Sequence, residues 1–151
     1  MAGNTRSRFP KSRRLLSRGD FDRVQNGRET RRASSAHFLV LLTARDGTGA
    51  RLGIIASRRV GSSVRRNRAK RLIREFFRAA SGLGDYDMVV VVKTGAETLS
   101  AAKAAAELAA TVARATKATP TNEPRPARAT KRAPARPLPA AGRAIRKGRK
   151  P

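Results

Sequence analysis

A small two-layer α/β domain followed by a basic tail is what this 151-residue sequence predicts. Three observations carry that prediction. Segments of helical periodicity and strand-like runs alternate in the order helix, strands, helix, strand, helix, the pattern of helices packed on one sheet. One helical segment, within 58–78, divides into an apolar and a cationic face. Beyond residue 118, large apolar residues almost vanish and Pro, Ala, Lys and Arg dominate, a composition that cannot offset chain entropy by burial. The expected organisation is a flexible basic arm over 1–14, a packed domain over 15–118 and a disordered tail over 119–151.

Taken in order, residues 1–14 are basic and lack periodicity, hence the arm. At Leu16 to Phe21 the signals for a helix start coincide: Ser17 as N-cap, Asp20 in the capping-box position, and Leu16 placed to staple onto Phe21. Phe21 and Val24 share a face, and Gly27 is a left-handed stop. The run 36–43, AHFLVLLT, predicts a strand. The turn cluster Asp46-Gly47-Thr48-Gly49 and the run 51–57, RLGIIAS, complete an antiparallel hairpin, with a short earlier strand within 29–34. Residues 86–93, YDMVVVVK, form the near-continuous aliphatic run of a strand buried on both faces. An Ala-rich helix over 99–117 offers Leu99, Ala102, Ala106, Leu108, Ala109 and Val112 for packing, too little area for firm docking.

The run 58–78, RRVGSSVRRNRAKRLIREFFR, holds nine Lys or Arg and one acid, Glu75, for a net charge of +8. At 100 degrees per residue from Val64, the apolar set Leu72, Phe76, Ala69, Ala80 and Ile73 occupies roughly 80 to 180 degrees, with Phe77 at its edge. Opposite lie Arg66, Lys70, Arg74, Asn67, Arg78 and Arg71. Gly61, Ser62 and Ser63 mark the start, and Ser81, Gly82 and Gly84 the end. Like charges at i,i+4 spacing cost about 0.2 to 0.5 kcal/mol per pair. A bound polyanion would remove that repulsion.

The whole chain carries +25, which points to a nucleic acid ahead of a membrane surface. No apolar run is long enough to span a bilayer, and no apolar leader core opens the sequence. The absence of cysteine excludes disulfides and thiolate metal sites and suits a reducing interior, so a cytoplasmic, soluble protein is expected. Catalysis on nucleic acid needs clustered carboxylates or a nucleophile with its base. Here Asp20/Asp22 read as helix-capping residues, Asp85/Asp87 as a turn before a strand, and His37 as a structural or exposed residue without an acid partner. No phosphate-cradling glycine loop is present. These residues argue against an autonomous active site; if the protein takes part in catalysis, another molecule should supply the reacting groups. The alternative from another class is a packaging protein, because the tail resembles linker-histone-like extensions.

At Arg66 to Glu75, RNRAKRLIRE resembles the signature of the bacterial ribonuclease P protein component. SRRVGSSV before it, the stretch from Asp20-Phe21 to Gly27, and HFLVLL resemble the same family, over about residues 11–117. Gln25 stands where the family pattern has a second aromatic, and Ser62 where it has asparagine. The resemblance implies an α-β-β-β-α-β-α fold with a left-handed crossover around the basic helix. It also implies a holoenzyme endoribonuclease in which a catalytic RNA subunit, holding Mg2+, removes the 5′ leader from precursor tRNA. No metal is expected on the protein alone, which should be monomeric in isolation and have no membrane partner. Carried over by position, Arg58, Arg59, Arg65, Arg66, Asn67, Arg68, Lys70, Arg71 and Arg74 would meet the RNA subunit. Phe21, Val24, Phe38 and Val40 would line a cleft for the single-stranded leader, through contacts worth about 1 to 3 kcal/mol per stacked base.

Overall fold

A computed structural model describes residues 9–120. Its elements are α1 (Arg18–Asn26), β1 (Arg31–Ser34), β2 (Phe38–Ala44), β3 (Arg51–Ala56), α2 (Ser63–Ala79), β4 (Tyr86–Val92) and α3 (Ala101–Lys117), with single 3-10 turns at Lys11–Arg13, Arg58–Val60 and Ala96–Thr98. The sheet order is β1-β2-β4-β3. β4 pairs antiparallel with β2 from Phe38↔Val92 to Ala44↔Tyr86 and parallel with β3 from Arg51↔Asp87 to Ala56↔Val92. The expected hairpin between β2 and β3 is therefore corrected. The turn cluster between them carries the chain across the start of β4, held by Arg45 N to Asp85 O at 3.0 Å and Gly49 N to the Asp85 carboxylate at 2.6 Å. Local turn chemistry marks a reversal but not which strand lies alongside.

Register assigns each side chain to a face. Phe38, Val40 and Leu42 align with Val92, Val90 and Met88, and Leu52 with Met88; this side packs on α2 and α3. From α2 come Ala69, Ile73 and Phe77, all fully buried. Phe77, at the edge of the apolar set by spacing, is as fully buried as Ala69 and Ile73, and the buried face is turned away from Val64. From α3 come Ala104, Leu108, Thr111, Val112 and Ala115, whereas Ala102, Ala106 and Ala109 are exposed. An all-Ala surround offers no periodic signal to choose between faces. α3 is also fastened by polar contacts: Glu107 accepts from His37 N and Ser35 Oγ at 2.8 and 2.6 Å and lies 2.8 Å from His37 Nδ1, so His37 does have an acid partner.

The other side of the sheet carries α1, through Leu15, Val24, Leu41 and Val89. Ser17 caps α1 as expected, accepting from Asp20 N at 3.1 Å. Leu16 is not a staple: it is 68% exposed, and Leu15 takes the buried place. Gly27 has φ −64°, not a left-handed value. Glycine is needed there for space, since a Cβ would lie 2.3 Å from Arg23 O. Thr30, fully buried, donates from Oγ1 to Val24 O at 2.9 Å and lies 3.1 Å from Thr43 Oγ1, tying the end of α1 to β2.

The arm expected over 1–14 is anchored from Phe9 onward. Phe9 is buried edge-on against Phe77, 5.3 Å between centroids, and Arg14 bridges to Leu52. One phenylalanine in a basic segment carries no periodicity, which is why the anchor escapes a pattern search. Residues 1–8, and the tail from 121 onward, lie outside the described residues.

A buried carboxylate completes the attachment of α1. Asp87 lies in β4, fully buried, and accepts from Arg51 Nε and Nη2 at 2.7 and 2.8 Å and from Arg23 Nη2 of α1. Asp20 joins through Arg51 at 3.4 Å. Asp87 is thus an arginine acceptor within a strand and not a turn residue. Burial pushes its carboxyl up, but the hydrogen bonds and charges of Arg51 and Arg23 outweigh burial and hold it below its ordinary value. Arg51 is raised in turn, chiefly by its hydrogen bond to Asp87. A depressed carboxyl stabilises the fold above its unfolded-state pKa, and that contribution is lost as pH falls through the lower folded-state value. Asp87→Asn leaves two arginines against a neutral amide and is expected to cost about 3 to 5 kcal/mol at pH 7. Urea denaturation should show this cost shrinking in acid below the ordinary carboxylate range.

Candidate nucleic-acid interface

The cationic face of α2 begins at a long cap: Ser62 Oγ accepts from Arg65 N at 3.5 Å, and Gly61 turns the chain at φ 134°, a left-handed-side value that favours glycine. From that start the helix runs seventeen residues. Arg65, Asn67, Arg68, Arg71 and Arg74 are exposed, and so are Arg58 and Arg59 on the preceding turn; Arg66 and Lys70 are half-buried against the domain. Several of these side chains are held in place. Arg68 Nε donates to Glu97 O at 2.8 Å, Arg66 Nη2 donates to Ser63 Oγ at 3.3 Å, and Arg65 lies 4.0 Å from the Glu97 carboxylate. All nine cationic and amide positions predicted for RNA docking thus fall on one helix and the turn leading into it.

The anchored N-terminal segment extends this surface. Arg14 Nη2 donates to Phe9 O at 2.6 Å, and the Arg13 guanidinium sits 4.8 Å above the Phe77 ring. Burial, then repulsion from Arg14, Arg71 and Arg78, lowers the Arg74 guanidinium below its ordinary value. Phosphates placed along this face would offset that repulsion.

The four residues predicted to line a leader cleft are not brought together. Val24, Phe38 and Val40 are fully buried, and Phe38 and Val40 face α2 and α3, on the side of the sheet away from α1. Only Phe21 is half-buried. Its ring rests on β3 at Gly53, where a Cβ would lie 2.6 Å from Phe21 Cε1. The row beside it consists of Leu39, Val91 and Ile55, aligned across three strands and half-buried. In HFLVLLT every residue from Phe38 to Leu42 is apolar, so no alternation distinguishes the packed face from the open one. Gly53 is the one local signal that could have oriented the strand, as a glycine inside a strand marks close approach. A cavity of about 160 Å³ touching Phe9, Arg14, Leu16, Phe21, Lys70 and Arg74 places Phe21 beside the cationic helix.

Among the described residues, no three or more His, Cys, Asp or Glu gather as a metal site, and Asp20 and Asp87 are occupied by arginines. Nor is any described helix long and apolar enough to cross a membrane. The surface suits binding of an extended polyanion.

Residues 9–116 match the family model for ribonuclease P. The ribonuclease P protein component of Geobacter sp. (strain M21) is 41% identical over 111 residues, covering 73% of this chain and 94% of that protein. The counterpart in Geotalea uraniireducens (strain Rf4) is 41% identical over 104 residues, covering 67% and 88%. Among solved structures, the RNase P protein of Staphylococcus aureus superposes with a TM-score of 0.62 at 26% identity, over 68% of this chain and 94% of that one. The RNase P protein from Thermotoga maritima gives 0.59 at 28% identity, over 67% and 96%. With the four-stranded sheet, its three helices and the RNRAKRLIRE helix all in place, the chain belongs to the ribonuclease P protein component family.

Proposed function

We propose that this subunit of ribonuclease P docks the cationic face of α2 on a catalytic RNA subunit and helps that RNA remove the 5′ leader from precursor tRNA. The observation that carries the reading is the concentration of exposed, partly anchored cations on one helix, in a domain whose described acids do not cluster. In this reading hydrolysis and Mg2+ belong to the RNA. The protein contributes electrostatic docking and an apolar surface for the leader, composed of Phe21 with Leu39, Ile55 and Val91 in place of the buried Val24, Phe38 and Val40. The packaging alternative rests on the tail, and the relatives favour the ribonuclease P reading instead.

Reconstitution with the cognate RNA subunit should stimulate precursor cleavage at low magnesium; no stimulation would refute the proposal. Arg71→Glu with Arg74→Glu, both exposed, should weaken RNA-subunit binding at least a hundredfold in a filter-binding titration while the circular dichroism spectrum stays native. Phe21→Ala should reduce affinity for a precursor with a leader by about 5- to 150-fold, the equivalent of about 1 to 3 kcal/mol. Affinity for the same tRNA without its leader should be unchanged. An equal loss on both would move the leader elsewhere.

A further inference from the structure

Val64 is not explained by packing. It is 78% exposed, one of two large hydrophobic residues so exposed among the described residues. A β-branched residue on an open helix face also gives up helix propensity relative to alanine. Val64 borders a groove of about 520 Å³ between α2 and Ala101 at the start of α3. Val64, Arg68, Arg71, Leu72 and Glu75 stand at i, i+4, i+7, i+8 and i+11, so a single stripe of α2 forms most of its lining, with Asn67 alongside.

We propose that this groove seats one unpaired nucleotide of a structured RNA, with the base on Val64 and Leu72 and the phosphate toward Arg68 and Arg71. The proposal rests on the RNA-docking reading of α2 and names a subsite within it. Charge selects the class of partner: the groove lies in a run of net +8. The apolar floor selects the state of that partner, because a paired helix shows its phosphates and hides its base faces, whereas a bulged or looped nucleotide exposes both. Arg68 is held on Glu97 O and so presents its guanidinium from a fixed position. Glu75, the single acid of the run, stands at the far end of the groove from Val64 and disfavours phosphate there, which leaves the phosphate to the arginines nearer Val64. Asn67 can meet a base edge as donor or acceptor.

Val64→Ala tests this without touching a charge, and the exposure of Val64 leaves the fold unaffected. Full-length chain should be titrated against the cognate RNA subunit and against a fully paired RNA hairpin at several salt concentrations. The expected result is about tenfold weaker binding of the RNA subunit, with the salt slope of wild type, and no change on the paired hairpin. Unchanged affinity for the RNA subunit, or an equal loss on the paired hairpin, would overturn the subsite. Failure of the wild-type chain to bind the RNA subunit would overturn the docking reading itself.

Discussion

β4 is the strand on which the other elements depend. It pairs with β2 along one edge and with β3 along the other, and its side chains supply both packed regions. A strand in that position must be apolar on both faces, and Met88, Val89, Val90 and Val92 meet the requirement. The exception is Asp87, whose burial is tolerable only because Arg51 and Arg23 neutralise and hydrogen-bond it. That exception links neighbouring strand and overlying helix to the central strand at one point. The position of Phe21 over the sheet therefore rests on an ionic contact as well as on Val24.

The two surfaces proposed for RNA binding differ physically. The α2 face is exposed, charged and long-ranged, suited to capturing a large folded polyanion and sensitive to salt. The row of Phe21, Leu39, Ile55 and Val91 is half-buried and apolar, suited to a flexible strand whose bases are unpaired and whose sequence varies. Lys70, Arg74 and Arg14 share a cavity with Phe21, so the charged and apolar surfaces meet there.

Much of this was legible in the residues themselves. The caps at Ser17 and Ser62, the amphipathic α2 and the aliphatic β4 follow from local periodicity and were found where expected. What was not legible is what depends on partners far away in the chain. β4 separates β2 from β3 although a good turn joins them, and Glu107 meets His37 seventy residues away. Facing was lost wherever the pattern was uniform: in HFLVLLT, which cost two of the four cleft residues, Phe38 and Val40, and in the alanines of α3. On α2, spacing separated an apolar from a cationic side but misplaced the border between them: Arg66 and Lys70 are half-buried, whereas Arg65 and Arg68 are exposed.

The N-terminal segment has a further consequence, for solubility. β3 stands at the end of the sheet, with one side turned away from β4. Leu15 N donates to Leu52 O at 3.0 Å and Arg14 bridges to the same residue, so the segment after Phe9 lies along that side and occupies hydrogen-bonding groups that would otherwise be open to a strand from another molecule. The residues that bring Arg13 and Arg14 up to the cationic helix thereby also shield the sheet, and a chain shortened past Leu15 would lose charge and edge protection together.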